Sequence, residues 1–163
     1  MALAVTFYDV VKWVHVSSIV VGLGPTFAYG IYIAIASANE PRSIPFVYRV
    51  LQAIDGTFVT IGGILILLSG IYLTADRWDF GYFFVTWGVI AIIVLLGLTH
   101  GFFRPNERRA ERLARRDIEA SGGGDVRFSE EYNQVSLKMA RMGPVAGLIV
   151  ILTIYVMTAK PFL

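Results

Sequence analysis

The chain has no cysteine. That single absence removes disulfides, thiolate metal sites, covalent haem attachment and cysteine nucleophiles together. Two histidines and four methionines are the remaining nitrogen and sulfur side chains for a transition metal. Charge is scarce too: 16% of residues are Asp, Glu, Lys or Arg, where a soluble domain carries about 25%. The net charge is only +2, so the basic pI gives no ground for nucleic acid as a partner. Paired carboxylates on one helix face, a nucleophile with its base, a phosphate-cradling glycine loop and zinc-ligand spacings are all missing. An enzyme working through its own side chains alone is therefore not expected.

What is abundant is apolar, 56% of 163 residues, and it comes in blocks. Between Asp79 and Arg104 lie 24 residues without a formal charge. As a helix they extend about 36 Å, enough to cross a hydrocarbon core of about 30 Å. Three further uncharged runs are Trp13 to Asn39, Gly56 to Ala75 and Met142 to Ala159. Continuous blocks of this length read as helices, because barrel strands alternate over about ten residues. The expected fold is all-α: an integral membrane four-helix bundle forming one domain over 1–163. Its spans fall near 10–38, 55–75, 81–103 and 142–160. The first apolar block is too long for a cleavable signal core and has no basic region before it and no small-residue cleavage pattern, so it is expected to be retained.

The charges are segregated. Lys12, Arg77 and Lys160 fall at one end of the four spans. Arg42, Arg49 and the Lys and Arg residues from Arg104 to Arg141 fall at the other. The positive-inside rule puts the second set in the cytoplasm and both termini outside, in a plasma (inner) membrane, with Trp13, Trp78 and Trp87 at the outer interface. Gly22-Leu23-Gly24-Pro25 should kink span one. Small pairs four apart, Ser18/Gly22, Gly97/Gly101 and Gly143/Gly147, are expected to let helix backbones approach closely, chiefly inside the bundle.

Residues 104–141 read as an amphipathic, charged cytoplasmic loop lying on the membrane surface. Its first half has a narrow apolar stripe of Ala110, Leu113, Ala114 and Ile118. Its second half has Ser129 as N-cap and Tyr132, Val135, Met139 and Met142 at helical spacing, running into span four with a bend near Gly143-Pro144. Gly122–Gly124 separates the halves and should be mobile. Asp55 is expected to cap span two, and the remaining carboxylates to lie in loops or on surface helices. The ionisable groups left inside the membrane are His15 and His100, the candidate cofactor-binding residues. By residue counting they differ in depth by about 15–20 Å, which argues against both ligating one iron.

Lys12-Trp13-Val14-His15 followed by Gly22, Thr99-His100-Gly101-Phe102 before a basic loop, and Ala159-Lys160-Pro161-Phe162 at the end occur in an order that resembles HemJ-type and CopD-type membrane proteins. The resemblance runs over nearly the whole chain. It implies a four-helix membrane scaffold. From the HemJ side it implies haem b and redox chemistry; from the CopD side it implies copper handling. HemJ proteins carry an arginine and a histidine late in the first helix, where Thr26 to Ser37 has neither. They carry a lysine near Val89 and an Asn-Glu pair before Pro144, both lacking here. The chain is therefore placed in a third branch of small bacterial membrane proteins with the same outline. Three readings are carried forward. The leading one is a non-catalytic subunit or scaffold, with the bilayer and a membrane-protein partner or a second copy as its contacts. The others are a haem-binding redox protein and a copper-handling protein. A permease ranks last, since the mid-membrane positions offer only hydroxyls.

Overall fold

The computed structural model describes residues 5–162, and among them there is helix and no strand. Seven α-helices occur: α1 (Phe7–Leu23), α2 (Tyr29–Asn39), α3 (Ile44–Ile54), α4 (Thr60–Arg77), α5 (Phe83–Leu98), α6 (Arg104–Ala120) and α7 (Glu130–Ala159). Short 3-10 or π turns join several of them end to end. The result is four continuous rods, Phe7–Asn39, Pro41–Arg77, Phe83–Ala120 and Glu130–Ala159, each long and apolar enough to cross a membrane. The all-helical four-span architecture is as expected.

The rods are longer than the spans they contain. At 30 to 38 residues they extend about 45–57 Å, against a hydrocarbon core of about 30 Å. The excess is at the basic end, where it forms a folded extension. Residues 44–54, between spans one and two, form the amphipathic helix α3, which buries Ile44, Tyr48 and Leu51. Here α6 is not a helix lying flat on the membrane: it continues the third rod and packs against α3 and α7. Ala110, Leu113 and Ala114 of the expected stripe join Tyr48, Leu51, Tyr132, Val135 and Met139 in one core. Burial of this face on neighbouring helices outweighs what a surface location would recover, because α3 supplies a second apolar stripe directly opposite.

Caps follow the sequence signals. Thr6 and Asp9 form a reciprocal capping box at the start of α1. Ser129 caps α7 by accepting from the Tyr132 N–H, and is itself held by Asp117, which accepts from the Ser129 N–H and hydroxyl. Arg109 and Arg116 bind Glu131 across the same gap. Gly122 and Gly123 take left-handed φ of 56° and 94°, where a side chain is disfavoured. The turn they make is tied to the first connection through Arg42, which donates to the Gly124 carbonyl at 2.8 Å. The fourth rod passes through Pro144 without interruption.

Within the spans, α1 packs along α4, α4 against α5, and α5 against α7. The α1–α4 crossing is the closest. A Cβ placed on Gly62 would lie 2.8 Å from the Gly22 Cα and 3.2 Å from the Ser18 carbonyl. The Ser18/Gly22 pair thus works as expected, inside the bundle, while Gly97, Gly101 and Gly143 meet nothing within 4 Å. Past Leu23 the first rod changes course. Gly24–Ala28 is a 3-10 turn with Pro25 in its first positions, and Pro25 has no N–H to continue an α-helical ladder. Beyond it, α2 packs against α3 instead of following α4.

Candidate functional site

The divergence of α2 leaves a cavity of about 730 Å³ between the rods. Each rod contributes a stripe at helical spacing. The second contributes Tyr48, Leu51, Asp55 and Val59, and the third Leu95, Thr99, Phe103 and Glu107. Along α7 the lining runs from Ser136 to Ile151, about 22 Å of helix. Toward mid-membrane the walls are Leu23, Leu95, Val150 and Ile151; toward the basic end they become polar.

That polar end holds two carboxylates. Asp55 and Glu107 are each 2% exposed. Asp55 does not cap span two, because α3 runs straight into it. It opens the π turn Asp55–Val59, and its Oδ1 accepts from the Tyr29 hydroxyl at 2.7 Å. The third rod has a π turn at the same level, Thr99–Phe103. Such single turns disturb the i→i−4 ladder and recur at functional sites. Arg104 follows it, and its guanidinium lies over Gly56, whose Cβ would come within 3.3 Å of Nη2. Glu107 sits one turn beyond the apolar run, and its Oε2 has no hydrogen-bond partner. Burial above all, and the nearby Asp55 charge next, hold its carboxyl above the usual glutamate range, with Arg104 opposing them. The Tyr48 hydroxyl faces Ser136 and Tyr132 without a hydrogen bond of good geometry. One more acceptor follows from covalent structure. Pro144 lacks the N–H that would meet the Ala140 carbonyl, and both residues line the cavity.

The two histidines are elsewhere. The Ser69 hydroxyl donates to the Leu65 carbonyl, so it accepts from His15 Nδ1 at 2.8 Å. The imidazole lies against Gly70, where an added Cβ would meet its Cε1 at 3.2 Å. Thr60 donates to the Asp55 carbonyl at 2.6 Å and accepts from His100 Nε2 at 3.2 Å. His100 Nδ1 then faces Arg104 Nη1 at 3.4 Å. Ser69 and Thr60 are nine residues apart on α4, or about 13–14 Å, so the histidines are not brought together. Neither lines the cavity. Both His100 nitrogens are engaged, and the His15 ring is closed off on one side by backbone. The residues present do not fit a haem in the cavity with either histidine as its iron ligand. Among the described residues no group of three or more His, Asp or Glu is placed to hold a metal ion.

From the sequence alone Asp55 reads as a cap of span two and Glu107 as a surface residue; both lie on the cavity wall instead. The available signal for Glu107 was its register. It lies three and seven residues before Ala110 and Ala114, on the same stripe that packs inward.

Four apolar rods around a buried acidic cavity define an integral membrane helix bundle with an internal polar site. The chain belongs to a family of predicted integral membrane proteins, DUF2269, which it matches over residues 9–161. No curated protein and no solved structure matches it.

Proposed function

We propose that this protein binds an amphiphilic small molecule in the cavity, with the polar end of the ligand at Asp55, Tyr29 and Glu107. The observation that carries this reading is Glu107 Oε2, a fully buried and unpartnered carboxylate oxygen on the cavity wall. An unmet buried acceptor costs about 1–3 kcal/mol, and more when charged, so a fold that keeps one has a use for it. A volume of about 730 Å³, apolar walls and a few convergent polar groups are the usual features of a small-molecule site.

Orientation belongs to the same proposal. The basic extension faces the cytoplasm and both termini face outward, since the Lys and Arg residues concentrate at that end. The polar end of the cavity then lies toward the cytoplasmic leaflet. HemJ-like haem chemistry draws no support from the positions of His15 and His100, nor does CopD-like copper handling.

The test is purification in mild detergent or lipid nanodiscs, solvent extraction and mass spectrometry. A small molecule should co-purify near one per chain and fall severalfold in Glu107→Leu, with the bundle still folded. A parent protein that carries nothing beyond bulk lipid, and that no amphiphile stabilises, refutes the binding reading. A non-catalytic membrane subunit or scaffold then stands in front.

A further inference from the structure

The helix packing bears on how the cavity is reached. On one side α2 packs against α3 and its flanking turns, and on the other α7 packs against α5 and α6. Toward the basic end Ala36 of α2 shares a core with Tyr132, Val135 and Met139 of α7; nearer mid-membrane no comparable packing closes the seam between α2 and α7. The cavity wall along that seam is made of small residues. Gly30 and Ala34 come from α2, and Gly143 and Gly147 from α7. A Cβ added to Gly30 or Gly143 meets nothing within 4 Å. Ile31 is exposed on the outside of the rods, and Leu148, which also lines the cavity, is exposed at its rim. Phe27, in the 3-10 turn before α2, lines the cavity, is 50% exposed, and reaches to 3.5 Å from the position of a Gly147 Cβ.

The polar end restricts what passes. It offers acceptors: the Asp55 carboxylate, Glu107 Oε2 and the Ala140 carbonyl released by Pro144. Arg104 is held beside the Asp55 turn and is not part of the cavity wall. An anionic head only accepts hydrogen bonds, so it would donate nothing to the Asp55 carboxylate or the Ala140 carbonyl, with no cation in the wall to offset its charge. A head that donates hydrogen bonds meets partners instead.

We infer that the ligand is a bilayer-dissolved, long-chain amphiphile with a hydrogen-bond-donating amine or hydroxyl head, and that it enters sideways through the α2–α7 seam past Phe27. The tail lies toward Leu95 and Val150 and the head toward Glu107. Its axis then follows that of the lipids in the leaflet it leaves. This rests on the binding reading above. It adds the class of ligand and the route.

The experiment uses the full chain in lipid nanodiscs and three radiolabelled probes of equal chain length: a primary amine, a primary alcohol and a fatty acid. Amine or alcohol should bind near one per chain, and the fatty acid at least about tenfold more weakly, the equivalent of about 1.4 kcal/mol. Which of the two donors binds better identifies the head. Gly30→Leu and Gly143→Leu place bulk in the seam without touching Asp55 or Glu107. Each should slow association and dissociation alike, the mark of an obstructed route, whereas a lost contact would speed dissociation. Phe27→Ala should speed both. Wild-type protein that binds none of the probes overturns the binding reading and this inference together. Binding with exchange rates unaltered in all three folded variants overturns the lateral route alone. Fatty acid binding equal to that of the amine and alcohol overturns the assignment of the head.

Discussion

The α1–α4 crossing gives a graded prediction. Alanine in place of glycine inside a helix is favourable by about 0.8–1.0 kcal/mol from propensity alone. At Gly97 nothing lies within 4 Å of the new methyl, so Gly97→Ala should keep that gain. At Gly62 the methyl would sit 2.8 Å from the Gly22 Cα and 3.2 Å from the Ser18 carbonyl. Both are backbone atoms of α1 and cannot rotate away. The two rods must separate, and overpacking of this kind costs about 1–3 kcal/mol. At Gly88 the obstruction is the Met157 Cε, the end of a flexible side chain that can move. Gly62→Ala should therefore be the least stable of the three, Gly97→Ala the most, and Gly88→Ala intermediate. The propensity gain is common to both, so the separation between the extremes is the overpacking cost, about 1–3 kcal/mol. Thermal unfolding in one detergent, followed by intrinsic fluorescence and checked by circular dichroism, reads the order. A Gly62→Ala protein as stable as Gly97→Ala would mean that α1 and α4 are not in backbone contact, and the origin of the cavity would have to be found elsewhere.

Glu107→Gln keeps the shape of the side chain and removes its charge. The folded protein binds the Glu107 proton more tightly than the unfolded chain does. Wild-type stability should therefore fall as pH rises from the ordinary glutamate range toward the raised folded value, and stay low above it. Glu107→Gln should flatten that decline, and a decline equally steep in the variant would remove Glu107 as its cause. At the loop, Ser129→Ala should cost about 1 kcal/mol through the lost N-cap. Asp117 behaves oppositely to Glu107. Partial burial raises its carboxyl, but the Ser129 N–H and hydroxyl together with Arg116 outweigh this and hold it below the usual aspartate range. Its contribution is full above that range and lost as pH falls through the depressed value, so acid titration of thermal midpoints should show a smaller loss in Ser129→Ala. For orientation, single cysteines at Asp79 and Ser121 treated with an impermeant thiol reagent on intact cells should label at 79 and be protected at 121. The reverse pattern would invert the topology. His15→Gln and His100→Gln should each retain an interhelical hydrogen bond and lower the thermal midpoint only slightly; loss of a visible absorption band in either would restore the haem reading.

The four spans, the small-residue crossing at Ser18 and Gly22, the Ser129 cap and the apolar stripe of α6 were legible in the chain by itself, though not that this stripe faces α3 and α7 instead of the membrane surface. They depend on local quantities: uncharged length against bilayer thickness, and side-chain spacing along one helix. The amphipathic helix α3 was equally local, in Ile44, Tyr48 and Leu51, but a short connection between two spans carries no requirement to fold. The acidic site was not legible. Asp55 reads as a cap until α3 is seen to continue into α4, and Glu107 reads as a surface charge until α3 and α7 cover it. Their convergence with Tyr29 brings together residues 26 and 52 positions apart in sequence, from three different rods. No periodicity along one helix encodes that meeting. It is decided by where Pro25 turns the first rod and by which helix then covers each face, and those are properties of the packed bundle.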